Sequence, residues 1–139
     1  MRIGMAALFA AVIVGGGLSA GAAIADECFV HNDSLMRLQT RGSSYVMRYE
    51  QPRDVLRRAG VRRGTVLLDG NVSNGSFSGV ARRFSRYCPG EPLEYRVSGR
   101  VYDDPYSIIV DGRYEVHDRC RPTGRLKGDQ LVFTFIRNC

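Results

Sequence analysis

Along most of this chain apolar side chains recur at every second residue. Tyr45, Met47 and Tyr49 alternate with Val46, Arg48 and Glu50. Leu93, Tyr95, Val97, Gly99 and Val101 alternate with Glu94, Arg96, Ser98 and Arg100, and Leu131, Phe133 and Phe135 with Val132, Thr134 and Ile136. Successive strand residues point to opposite faces, so each row reads as a half-buried β-strand. The short apolar run 65–68 is a further strand by its length. Asn74-Gly75 joins it to 76–84, because both residues tolerate the positive φ of a two-residue hairpin turn. Asp103-Asp104-Pro105 is a turn between 92–101 and 106–117, the latter read as one long strand bulged at Gly112. Asp69-Gly70 and Asp111-Gly112 resemble hairpin turns but are read as lying within strands.

Helix signals are few. In 52–59, Pro52 suits a first helical position, Asp54 a first turn and Gly60 a left-handed stop, with Val55, Leu56 and Ala59 forming a small apolar face. Segment 118–129, with Pro122, Gly124 and Gly128, reads as the longest loop. The expected fold is all-β: a small antiparallel β-barrel or sandwich of about seven strands with one short helix and two disulfides. Glycines inside strands, at 79, 99 and 112, fit the bends that let a small sheet close.

The first 25 residues have a different character. Arg2 gives a positive start, 8–14 is apolar, and Ala23 and Ala25 place small residues at the two cleavage-determining positions. This is the three-part pattern of an export signal. Gly15, Gly16, Gly17, Ser19 and Gly21 break the apolar run, which falls short of the roughly 20 continuous residues of a membrane span. The expectation is a cleaved signal peptide at 1–25 and a single disulfide-linked β domain at 26–139, periplasmic or secreted from a bacterium. That domain would carry nineteen basic and fourteen acidic residues, a net +5, with Lys127 its one lysine. A basic surface favours anionic partners. Neither nucleic acid nor a transmembrane anchor is expected.

Cys28, Cys88, Cys120 and Cys139 are an even set in a short exported chain, which argues for two disulfides. Four cysteines allow three pairings. In an antiparallel meander Cys88 and Cys120 finish at one edge and Cys139 at the other, within reach of Cys28, so the expected bonds are Cys88–Cys120 and Cys28–Cys139. The competing arrangement is a zinc site, since Cys28-x-x-His31 and His117-x-x-Cys120 together hold two sulfurs and two imidazoles. Residues three apart on a strand face opposite ways, and an oxidising compartment competes for the thiols, so no metal and no cofactor are assigned.

Chemistry-bearing residues cluster at one place. Arg53, Arg57, Arg58, Arg62 and Arg63 put five guanidinium groups within eleven residues, an anion- or partner-binding candidate. Arg82, Arg83 and Arg86, or Arg119, Arg121, Arg125 and Lys127, could extend it. The plainer account is a solvated helix face, with Asp54 and Arg58 paired at i, i+4 and basic residues at the helix C-terminus. Among the tyrosines, Tyr45, Tyr49 and Tyr95 fall on core rows, whereas Tyr102 and Tyr106 flank a turn and read as surface. No His-Glu-x-x-His, phosphate loop, dinucleotide fingerprint or Gly-x-Ser-x-Gly elbow is present. Asp103-Asp104 before Pro105 reads as a turn former rather than a carboxylate pair. The expected function is non-catalytic: a binding protein whose arginine surface meets an anionic envelope component or an acidic protein. Two alternatives are an inhibitor or accessory subunit that inserts 118–129 into another exported protein, and an enzyme with a zinc or dispersed active site.

Overall fold

The computed structural model describes residues 16–17 and 26–139. The expected signal at 1–25 therefore lies almost wholly outside the described residues. The elements are β1 (Glu27–His31), β2 (Ser34–Arg41), β3 (Ser44–Gln51), α1 (Asp54–Arg57), β4 (Val66–Ser73), β5 (Ser76–Arg83), β6 (Leu93–Asp103), β7 (Tyr106–Asp118) and β8 (Arg121–Asn138). Each strand pairs antiparallel with the next and β8 pairs with β1, which closes an up-and-down barrel of eight strands among the described residues. Closure leaves no free sheet edge where every pairing is complete.

The interior is filled by the period-two rows. Phe29, Met36, Leu38, Met47, Leu68, Phe77, Ala81, Val97, Ile108, Val110, Leu131 and Phe133 are buried and form one cluster. An eight-stranded barrel has just enough room for such side chains. Gly70 and Gly79 lie opposite one another on β4 and β5, and a Cβ on Gly70 would stand 2.7 Å from the Cα of Gly79 and 2.8 Å from the ring of Phe77. The missing side chains let the backbones approach where the sheet bends and leave room for Phe77. Outward rows carry Arg37, Arg48, Glu50, Asp69, Arg82, Glu94 and Arg96. Arg37 joins Asp26 at 2.9 Å to Glu50 at 2.8 Å, and Arg82 joins Asp69 at 2.5 Å to Glu94 at 3.2 Å. The hydrogen bond from Arg37 holds the Glu50 carboxyl below its ordinary range and raises the Arg37 guanidinium. A lipid-facing barrel needs an apolar band where these ion pairs stand.

The two ends differ in construction. At the lower end the connections are two-residue turns: Gly42–Ser43, Asn74–Gly75 and Asp104–Pro105, the last with a cis peptide. There Cys28–Cys139 ties β1 to the end of β8, and the Cys139 N–H donates to the Asp26 carbonyl at 2.9 Å. The upper end holds both long connections, α1 with the residues after it and segment 84–92, together with the projecting β7–β8 hairpin.

Both disulfides join the expected partners, Cys28–Cys139 and Cys88–Cys120. Asn74 and Gly75 have φ of 50° and 75°, as their turn requires, and Gly70 and Gly112 lie within strands. The expected closed sheet of about seven strands has eight: Asn32 and Asp33, with φ of 44° and 61°, form a hairpin turn that splits the N-terminal region into β1 and β2. Four expectations need correction.

Segment 118–129 is not a loop. β7 runs to Asp118, Arg119 and Cys120 turn with φ of 46° and 71°, and β8 starts at Arg121. Residues 121–128 are all exposed, so neither face has an apolar row to betray the strand. The β6–β7 register runs unbroken up to Gly112 and the β7–β8 register runs through it, and the irregularity falls between Glu115 and His117 against β8. Gly112 has another reason: a Cβ there would press on Val97 and on the ring of Tyr95.

The helix covers Asp54–Arg57 instead of 52–59. Arg53 supplies no side-chain cap, the N–H groups of Ala59 and Gly60 bond back three residues, and Gly60 turns at φ 85°. One turn cannot hold an apolar face together, so Leu56 and Ala59 pack inward while Val55 stays exposed. Finally, Tyr106 is no surface residue: its ring packs on Phe29 and Phe135, and its hydroxyl donates to Glu27 at 2.5 Å. Tyr102 is exposed as expected.

Candidate functional site

β6 and β7 part company at the upper end. Their pairing runs from Asp103–Tyr106 to Val97–Gly112 and stops there. Above that point β6 stays paired with β5 as far as Leu93 opposite Arg83, while β7 continues only with β8, out to Asp118 opposite Arg121. The barrel wall is therefore split, and the split opens a cleft of about 820 Å³.

Three segments line it: 83–88, 91–94 and 114–120. Phe84, Leu93, Tyr114 and Val116 give it an apolar floor, since Leu93, Tyr114 and Val116 continue the inward rows of their strands past the end of the core. Cys88–Cys120 spans the opening and ties segment 84–92 to the tip of the hairpin. Gly60 secures the same segment from behind: a Cβ there would stand 2.8 Å from the amide nitrogen of Gly90, so only glycine admits that approach at this φ.

Where floor meets core, Arg83, Tyr95, Tyr114 and Asp129 form a connected set. Arg83 reaches Asp129 at 3.0 Å and lies over the Tyr114 ring, 3.9 Å from its centroid. Tyr95 donates to Asp129 at 2.7 Å. Burial, then that bond to a carboxylate, pushes the Tyr95 phenol above its ordinary range. Asp129 thus holds both partners, and this set seals the core from the cleft. The rim carries Glu91, Glu94, Glu115 and Asp118 against Arg119, with His117 3.7 Å from Glu115. Glu94 is engaged by Arg82, while Glu91 and Asp118 have no ion pair among the described residues. A chain with a strongly basic balance thus presents a cleft with a carboxylate rim.

The five predicted arginines lie elsewhere on the upper end, on α1 and the residues on either side of it, and all are exposed. Arg63 pairs with Glu50 at 2.7 Å, Arg62 donates to the carbonyls of Arg57 and Val61, both at 3.0 Å, and Arg57 meets Asp54 at 3.6 Å. The pair expected between Asp54 and Arg58 is replaced by this i, i+3 contact. Arg53 and Arg58 remain without a carboxylate within 4 Å among the described residues. Arg82 and Arg83 are committed to carboxylates of the barrel and do not extend the patch.

The alternative zinc set is dispersed. Cys28 and Cys120 belong to different disulfides, and no described cysteine is free. His31 is buried in the barrel, stacked on Phe133, with Nδ1–H donating to the Val132 carbonyl at 2.9 Å and Nε2 facing the Asn32 amide at 3.3 Å. Both ring nitrogens are used, and burial holds the imidazole below its ordinary pKa, in the neutral form that this arrangement needs. No group of three His, Cys, Asp or Glu among the described residues is placed to hold a metal. Sequence reading missed the cleft because it treated 118–129 as a loop. The signal was there in part: Tyr114 and Val116 continue the inward row of β7 beyond Gly112, where its pairing with β6 stops.

Compared with protein-family models, with curated proteins and with solved structures, the chain matches none.

Proposed function

We propose that this is an exported binding protein, without catalytic chemistry of its own, that holds part of a partner molecule in the cleft between β6 and β7. The observation that supports this reading is the split itself. In a barrel whose interior is filled by side chains, the wall opens between β6 and β7 over an apolar floor, and a disulfide braces the opening. A site that is already formed binds without the entropy of ordering loops around the ligand. The hairpin above it projects from the barrel, as an accessory subunit or inhibitor needs in order to reach another exported protein.

A second reading rests on Arg53 and Arg58, exposed and without a carboxylate partner among the described residues. In it the α1 face docks on an anionic envelope component. The two readings separate in one experiment, retention of an envelope extract on immobilised protein at low and high salt. Val116→Trp fills the cleft, and the combined Arg57→Ser, Arg58→Ser, Arg62→Ser and Arg63→Ser variant strips the arginine face. The cleft reading expects retention that survives high salt, is lost in Val116→Trp and persists in the arginine variant. Retention lost in high salt and in the arginine variant alone transfers the function to α1.

A further inference from the structure

We propose, resting on the cleft reading, that the occupant is an extended polypeptide segment that adds as a strand to the free edge of β7 and carries basic side chains on its outer face. Beyond Gly112, β7 has β8 on one side and the cleft on the other. From Glu115 to Asp118 its edge is that of a strand with one neighbour, and these four residues line the cleft. A strand edge presents a row of N–H and C=O groups spaced to pair with another chain, and proteins ordinarily blunt such edges with bulges, charges or covering segments. Here the irregularity between Glu115 and His117 lies in the β7–β8 ladder. The covering segment, 84–92, stands across a cleft of about 820 Å³ rather than against the edge. The edge is held at a fixed distance by Cys88–Cys120, so it neither collapses onto β6 nor swings away.

The side chains around the edge specify what such a strand would carry. One face of an added strand would turn toward Phe84, Leu93, Tyr114 and Val116, and the other toward the rim. Main-chain pairing supplies affinity in this mode of recognition, and pockets for alternate side chains supply selectivity. Apolar residues therefore suit the inward positions. Glu91 and Asp118, at the rim and without an ion pair among the described residues, call for lysine or arginine outward. The recognised segment alternates apolar and basic residues over the few positions that 115–118 can pair. Its charge is of the sign that the arginine-rich remainder of the surface repels, so encounter is productive at the cleft alone.

The test uses the disulfide-intact protein and a displayed library of random eight-residue peptides. Panning is expected to enrich sequences with Lys or Arg at alternate positions between apolar residues. A synthetic peptide from that set should bind at least tenfold more weakly to the Glu91→Gln, Asp118→Asn variant, and should slow amide exchange within 115–118. Methylating its alternate backbone nitrogens should weaken binding by tenfold or more. The inference is overturned if enriched peptides lack basic residues, if methylated peptide binds as well as the parent, if exchange within 115–118 does not change, or if nothing is enriched. In that last case, loss of extract retention in Val116→Trp would leave the cleft reading standing with an occupant that is not a peptide.

Discussion

The lower end of the barrel and the upper end use the same covalent device for opposite purposes. Below, Cys28–Cys139 joins the first strand to the last, next to strands already paired through Glu27 with Asn138 and Cys28 with Arg137. It reinforces a closed wall, under which Phe29 packs edge to face against both Tyr106 and Phe135. Above, Cys88–Cys120 joins two segments that share no strand pairing, across an open space. The lesson is that one bond secures the fold and the other secures a gap, so their removal should be felt in different places.

The largest effect is expected from the Cys28→Ser, Cys139→Ser variant. The bond closes a loop of 111 residues, which in the chain-entropy model contributes about 5 kcal/mol. Denaturant unfolding should show that loss as a shift of the whole transition, with every strand affected together. A shift below about 1 kcal/mol would mean that the lower end is held by packing alone and would erase the contrast.

The Cys88→Ser, Cys120→Ser variant comes next. Its separation of 32 residues corresponds to about 4 kcal/mol in the same model. The expected signature is local: amide exchange accelerates in 84–92 and 113–128, while β1 to β5 keep their protection. Uniform acceleration through the barrel would show that the upper disulfide supports the core after all.

The smallest effect sharpens the comparison within the core. Burial lowers the pKa of His31, so below about pH 6.5, its ordinary value, the unfolded chain takes up a proton that the folded barrel refuses. Stability should therefore fall as pH drops below that value, until the lowered folded pKa is reached. For one proton the slope is at most about 1.4 kcal/mol per pH unit. His31→Gln should flatten this part of the pH profile. An unchanged profile in that variant would show that His31 is not the group responsible.

Legibility followed burial. Where strands line the core, alternating rows such as 93–101 and 131–136 announced both the strands and the face they bury. Disulfide partners followed from strand direction alone. Where the chain leaves the core the pattern fails. Residues 121–128 face solvent on both sides, so their strand is held by pairing with β7, an interaction that leaves no trace in the order of apolar and polar residues. Arg119 and Cys120 turn with positive φ although neither residue favours it, and Cys120 does so while bonded to Cys88. In the arginine cluster, the Arg63–Glu50 pair is one that only folding brings into reach, whereas Arg57 and Arg62 meet partners that lie close in sequence.

By itself the sequence determined the class of fold, because period-two burial and mid-strand glycines admit few solutions other than a small closed sheet. It also determined which sulfurs pair, since antiparallel strands of known direction leave each cysteine one partner at its own end. Tertiary structure alone decided where the wall opens. That depends on register: β6 ends its pairing at Val97 while β7 runs on with β8, and no residue records how far its neighbour in space extends. The cleft, its braced rim and its free strand edge all arise from that divergence, in which β6 goes on with β5 and β7 with β8, a property of two strands together.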